Sequence, residues 1–404
     1  MTNRITSLLA CTAVAVSMAA QAAPENKQDS LGFKFTDVKI NPTTSVKNQA
    51  SSGTCWCFSG TSLLEEEILR KGGPAVDLSE MFTVRQVYLD KAERYIRIGG
   101  NGNFSQGGAV TDVPYVFMTY GAIPESEYPG LSYGEDNHMH SELESVMKAY
   151  LNAVKARPNK GRLSTAWKKG LEGILDAYLG KVPEKFVVAG KTYTPKSYAE
   201  SLGINASDFV PFTSFTHHPF YTQFALEVAD NWMWENYYNV PMEDLKAIVD
   251  NAIDKGFTIV WAADVSEKGF KWRNGLAVIP AEKDEASLEG TELSRWVALT
   301  AAERANERFN FNGPVKEIEV TQEMRQTMFD RMETTDDHGM VIVGSAVDQN
   351  GTPYYKVKNS WGTDGHIYDG YFYVSVPYFL AKTLSIAINK NAVPAEIANK
   401  AGLK

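Results

Sequence analysis

Residues 49–59 read Gln49-Ala50-Ser51-Ser52-Gly53-Thr54-Cys55-Trp56-Cys57-Phe58-Ser59, and the helix that opens here sets the reading of the rest of the chain. Ser52-Gly53-Thr54 is an N-cap region, and the helix it starts runs to Arg70-Lys71, closed by Gly72-Gly73-Pro74. Its apolar stripe is Cys57, Leu64 and Ile68, with Glu65 to Glu67 expected on the exposed face. Cys55 falls in the first turn, where free amide donors and the positive end of the helix dipole stabilise a thiolate. Cys57 lies about 200° further round, at roughly 100° per residue, so it faces the core and the two thiols are poor disulfide partners.

Upstream, Arg4 precedes an apolar run from Ile5 to Ala20 and the small-x-small stretch Ala20-Gln21-Ala22. That is the pattern of a cleavable signal peptide, so residues 1–22 are expected to be removed and the protein to be secreted or periplasmic. The run is short for a membrane span, and no membrane association is expected after cleavage. Leu8-Leu9-Ala10-Cys11 resembles a lipoprotein box and offers anchoring as the minor alternative. With the signal removed, Cys55 and Cys57 are the remaining cysteines, and an unpaired thiol in an oxidising compartment invites a catalytic explanation.

The 404 residues exceed the usual size of a single core, so two packed lobes or one enlarged domain are expected. Hydrophobic residues make up 44% and charged residues 22%, the balance of an ordinary globular enzyme. The net charge of -9, without a long basic run, argues against a nucleic-acid or anionic-membrane partner.

Downstream of the first helix, Leu78-Ser79-Glu80 opens a second, which ends near Ala92 or Arg94. Gly99-Gly100-Asn101-Gly102 and Gln106-Gly107-Gly108 form glycine-rich loops before a third helix, about Ala109 to Tyr120. Ser141 to Ala156 and Leu163 to Leu179 read as amphipathic helices, Val187 to Tyr193 as a strand, and Thr194-Pro195 as the cap and first residue of another helix. Pro241 to Lys255 is helical and leads through Gly256 into an apolar strand, Phe257 to Ala263. Near the carboxyl end, Met340 to Gly344 and Tyr354 to Lys358 flank Asp348-Gln349-Asn350-Gly351, a strong hairpin signal. A hairpin there brings His338 and Asn359 to the same end, and a third strand, Gly370 to Val376, follows.

A thiol peptidase needs a helix-start cysteine beside an imidazole whose plane and tautomer are fixed by a third group. Cys55, His338 and Asn359 supply that set. The tetrahedral intermediate also needs preorganised donors for its oxyanion, and Gln49 with the Cys55 amide is the natural pair.

The stretch Gln49 to Ser59 resembles the papain-family signature around its nucleophile; Asp337-His338-Gly339 and Lys358-Asn359-Ser360-Trp361-Gly362 are similar to its histidine and asparagine motifs, in the same order. The resemblance implies an α+β, two-lobed papain-like fold: a helical lobe mainly over 41–130, an insertion over about 131–330, mainly helical, and a β-rich, barrel-like lobe mainly over 331–390. It implies that Gly107 and Gly108 form a glycine wall touching substrate backbone and that Trp361 covers the histidine–asparagine hydrogen bond. Asp337 reads as a solvated neighbour.

Cys55 and His338 lie further apart along the chain than in papain itself, and His218-Pro219-Phe220-Tyr221, Leu245 to Ile253 and Val260 to Val265 resemble the bleomycin hydrolase and aminopeptidase C branch. That branch implies a peptide substrate and removal of amino-terminal residues. Its carboxyl-terminal arm, which restricts cleavage to chain ends, is largely unmatched beyond Val393-Pro394-Ala395-Glu396, which keeps endopeptidase activity open as the alternative. An inactive peptide-binding homologue is a third reading, opposed by the complete residue set. A homo-oligomer is left open. His138, His140, His217, His218 and His366 show no helical ligand spacing with carboxylates, so neither metal nor cofactor is expected. Trp232, Trp234, Tyr237 and Tyr238 are expected in the core.

Overall fold

The computed structural model describes residues 30–157 and 159–403; the expected signal segment, with Cys11, lies outside them. The described helices are α1 (Cys55–Arg70), α2 (Glu80–Arg97), α3 (Asp112–Thr119), α4 (Ser141–Lys155), α5 (Ala166–Leu179), α6 (Pro195–Ser201), α7 (Met242–Asp254), α8 (Gly290–Ala298), α9 (Ala301–Glu307), α10 (Gln322–Asp330), α11 (Val376–Lys382) and α12 (Ala395–Lys400). The strands are β1 (Thr36–Ile40), β2 (Phe186–Val188), β3 (Lys191–Tyr193), β4 (Phe209–Thr213), β5 (Gln223–Ala225), β6 (Asn236–Asn239), β7 (Ile259–Ala263), β8 (Phe270–Lys271), β9 (Leu276–Ala277), β10 (His338–Val347), β11 (Pro353–Lys358), β12 (Tyr371–Ser375) and β13 (Thr383–Asn389).

Eleven strands form one sheet in the order β5-β6-β4-β13-β7-β10-β11-β12-β9-β8, with β1 on the outer half of β10. The apolar run at the heart of β10 is buried on both faces, as a strand covered by helix on one side and packed core on the other must be. Its turn to β11 is held by Asp348, whose Oδ1 accepts from the amides of Asn350 (2.8 Å) and Thr352 (2.9 Å), and Gly351 takes the left-handed conformation the turn requires. Helix α1 lies between this sheet and the helical lobe. A Cβ on Gly339 would sit 2.9 Å from Ser59 Oγ and 3.3 Å from the Trp56 backbone, so only glycine lets the start of β10 approach α1 so closely.

Four expectations change. Glu65, Glu66 and Glu67 are buried, because α1 is enclosed on all sides and its far end meets Lys47 and Lys358 from other segments and Arg70 from its own last turn. Val187 to Tyr193 is a hairpin of β2 and β3, whose two central residues, Ala189 and Gly190, both have positive φ, as a type I′ turn requires. The 131–330 stretch is woven into the sheet: β7 lies between β10 and β13, and β4, β5, β6, β8 and β9 come from the same stretch. Trp232 and Tyr237 are core residues, but Trp234 is 58% exposed and Tyr238 only partly buried.

Candidate active site

Cys55 is the first residue of α1, and the side chain of Thr54 before it makes no cap to the helix; its hydroxyl contacts Ser52 Oγ at 2.6 Å instead. No acidic residue occupies the first turn, so nothing on the helix itself cancels the positive end of its dipole. The Cys55 side chain opens into a cleft with about 210 Å³ of free space, which it shares with Trp56, Gly107, Gly108 and His338.

His338 donates its Nε2–H to Asn359 Oδ1 at 2.7 Å. Because the amide oxygen can only accept, this bond sets the tautomer and leaves Nδ1 with its lone pair. Asn359 Oδ1 also accepts from the Ser360 amide at 2.7 Å, which fixes the carboxamide. The Trp361 ring stacks on His338 with centroids 4.5 Å apart and planes at 30°, and Trp272 meets Trp361 edge-on at 5.2 Å. The aromatic pair thus covers the imidazole face beside the His338–Asn359 bond.

Burial pushes the Cys55 thiol up to about 12, with the Gly339 amide pulling the other way and the Asp336 and Asp230 carboxylates adding to the rise. Burial likewise pushes His338 down to about 4, against the Asn359 hydrogen bond. A lone charge on either group is therefore disfavoured.

Gln49 is buried and clamped at both ends of its amide. Its Oε1 accepts from Ser360 Oγ at 2.6 Å, and its Nε2 donates one hydrogen to Ser52 O at 2.7 Å. An amide nitrogen carries two donors, so a second remains. Gln106 ties the glycine wall to the cysteine loop: its Oε1 accepts from the Gly53 amide at 2.7 Å, and its carbonyl accepts from Trp56 Nε1 at 3.0 Å. Cβ atoms on Gly107 and Gly108 would overlap Asp230 and the Trp56 ring, so both positions exclude side chains.

The structure thus brings Cys55, His338, Gly107 and Gly108 to one cleft, with Asn359 and Trp361 behind the imidazole. Sequence reasoning missed Asp230 and Asp336, two carboxylates that also line this cleft. Burial raises Asp336 to about 7 and raises Asp230 as well. Asp336 stands two positions before His338, a placement that could have flagged it; Asp230 comes from a distant segment and carries no local signal. Asp337, expected to be solvated, is exposed at the rim and accepts from Thr335 Oγ1 at 2.7 Å.

Residues 33–157 match the papain family of cysteine proteases, and residues 282–402 match the peptidase C1-like family. Aminopeptidase C of Lactobacillus delbrueckii subsp. lactis is 20% identical over 401 residues, covering 88% of this chain and 81% of that protein. Bleomycin hydrolase of Mus musculus is 25% identical over 404 residues, covering 87% and 81%. Aminopeptidase W of Lactobacillus delbrueckii subsp. lactis is 22% identical over 381 residues, covering 88% and 83%. The crystal structure of PepW from Lactobacillus rhamnosis is similar in fold, with a TM-score of 0.67 at 18% identity over 90% of this chain and 84% of that one.

Proposed function

We propose that this chain, a papain-like cysteine peptidase of the bleomycin hydrolase and aminopeptidase C branch, removes residues from the free amino termini of peptides. Cys55 attacks the scissile carbonyl as a thiolate, its proton held by His338 Nδ1. The Cys55 amide and the second Nε2 hydrogen of Gln49 donate to the developing oxyanion. His338 then gives the proton to the leaving amine, and water, activated by the same imidazole, releases the acyl group. Asn359 keeps the imidazole in plane throughout, and Trp361 shields their hydrogen bond from water.

The observation that carries the exopeptidase reading is the acidic lining of the cleft beyond Cys55. Asp230 and Asp336 would be neutralised by the ammonium of a substrate's first residue. A blocked terminus would leave the partly buried Asp336 without a cation and Asp230 with Lys91 alone, which is costly. Relatives named aminopeptidase C and aminopeptidase W support the same reading. A panel of peptides with free and acetylated amino termini tests it: stepwise release from free termini is expected, and cleavage of acetylated peptides at internal bonds would make the protein an endopeptidase. Export, proposed on the pattern of residues 1–22, is tested by amino-terminal sequencing of the mature protein.

A further inference from the structure

Outside the cleft, His217, His218 and Glu227 form the one group of three potential metal ligands among the described residues. They reach each other across the turn after β4. His217 and His218 follow Thr216 in that turn, while Glu227 returns on the segment after β5, within a residue or two of Ala225. Their spacing along the chain shows no helical pattern; the tertiary turn brings them together instead.

The turn is rigid on the scale of a ligand site. Asn239, fully buried, donates to the carbonyls of Phe215 (2.8 Å) and His218 (2.9 Å) and accepts from the Phe215 amide (2.9 Å). Arg325 donates to Ser214 O at 2.7 Å, and Gln326 Oε1 accepts from the Thr216 amide at 2.6 Å. The rings are held as well. His218 stacks on Phe224 with centroids 4.1 Å apart, and His217 lies near-parallel to Phe329 and edge-on to Phe224.

Both imidazoles converge on one carboxylate. His217 Nε2 lies 3.1 Å from Glu227 Oε2 and His218 Nε2 lies 3.2 Å from Oε1, with one ligand atom from each residue falling inside a 4.8 Å envelope. In a tetrahedral zinc site with bonds of about 2.0–2.1 Å, neighbouring ligand atoms are about 3.3 Å apart; the two nitrogen–oxygen distances, each to a different carboxylate oxygen, put the side chains within reach of that geometry. Behind the first histidine, His217 Nδ1 faces the Gln326 amide, 3.1 Å from Nε2 and 3.4 Å from Oε1. Gln326 Nε2 in turn donates to Asp330 Oδ1 at 2.8 Å. With Nε2 on an ion, Nδ1 carries the proton and can donate to Gln326 Oε1, the outer-shell acceptor that fixes the ligand tautomer.

We propose that His217, His218 and Glu227 form a Zn²⁺ site. Two neutral imidazoles and one carboxylate suit a borderline cation, whereas Mg²⁺ and Ca²⁺ require six or more oxygen ligands. All three side chains are partly exposed, which leaves a path for the ion and an open fourth position for water. Glu227 sits between Leu226 and Val228, both of which line the candidate cleft, so the ion braces that wall without taking part in the chemistry.

The test is calorimetric titration of Zn²⁺ into the full chain carrying Cys55→Ala, which removes the cleft thiol as a competing ligand. One equivalent is expected to bind, and His218→Ala and Glu227→Gln, each in that background, are expected to weaken binding by at least about tenfold, as loss of a ligand does. Co²⁺ in place of zinc is expected to give the visible bands of a tetrahedral ion, absent from both variants. No binding to the Cys55→Ala chain, binding unchanged by either substitution, or equal binding of Mg²⁺ would overturn the site. Both substituted side chains are partly exposed, and a circular dichroism spectrum unchanged from the parent separates a lost ligand from a lost fold.

Discussion

At its first turn, α1 presents Cys55 to the cleft with no carboxylate of its own nearby, whereas two to three turns on, Glu65, Glu66 and Glu67 are all buried. Each of the three has a cation in reach, two of them from other segments and the third from the end of α1 itself. Lys47 binds Glu65 (3.0 Å) and Glu80 (2.8 Å); Lys358 reaches Glu66 (3.3 Å), Ser62 (2.8 Å) and Thr44 (3.0 Å); Arg70 forks onto Glu67 with two bonds of 2.7 Å. Burial opposes the Lys47 charge, but the carboxylates of Glu80 and Glu65 outweigh it and raise its pKa. Glu80 itself is raised to about 7 because it is buried beside another carboxylate.

The difference between the two ends is one of role. Lys47 stands two residues before Gln49, and Lys358 immediately precedes Asn359. The buried charges at the far end of α1 therefore anchor the two segments that carry the candidate oxyanion donor and the candidate imidazole orienter. One end of the helix carries the candidate nucleophile, and the other holds the segments that carry its candidate partners.

The largest expected effect separates the two thiols. Cys55→Ala is expected to lower kcat by about 10⁶-fold, as loss of a nucleophile does. Cys57, whose thiol donates to Glu80 O at 3.2 Å in the core, is expected on replacement by alanine to cost about 1 kcal/mol of stability and to leave most activity. Equal losses in both variants would erase the distinction between the cleft and the core at this end.

Next in size is the far end. Lys358→Met leaves Glu66 buried without its cation and is expected to cost about 3–5 kcal/mol in urea unfolding. It is also expected to lower kcat more than it changes KM, through displacement of Asn359. Adding Glu66→Gln is expected to recover part of the stability, since both charges then leave together. A Lys358→Met protein as stable as its parent would mean that this end is merely tolerated.

Smaller, and opposite in sign at the two ends, is the response to pH. His140 backs the loop before Cys55, its amide donating to Ser51 O at 3.2 Å, and burial pushes its pKa down to about 4. The unfolded chain then binds more protons than the fold between about pH 6.5 and 4, so the stability held by neutral His140 is full above that window and lost as pH falls through it. Glu80, raised to about 7, does the reverse: its contribution is full below about pH 4.5 and lost as pH rises through 7. Thermal melts of His140→Gln are therefore expected to gain on the parent as pH falls, and those of Glu80→Gln as pH rises. Parallel slopes would contradict the assignment.

Much of the site was legible because its signals are local. The helix start at Cys55, the cap at Ser79, the cap at Thr194 before Pro195 and the turn of the hairpin that joins His338 to Asn359 each rest on residues within a turn or two of one another. The failures share a cause as well. Glu65 to Glu67 look solvated to any helical periodicity, and cations supplied from the distant positions 47 and 358 make the burial of Glu65 and Glu66 tolerable. Asp230 in the cleft wall and Glu227 beside two histidines likewise acquire meaning from segments that meet only in the fold.

The most direct test of Cys55 as nucleophile, activated by His338, is labelling of the chain with a thiol-directed peptidyl epoxide followed by mass-spectrometric mapping. One label per chain on Cys55 is expected, formed at least about a hundredfold more slowly in His338→Ala. A label on Cys57, or a rate on Cys55 that ignores the loss of His338, would contradict it.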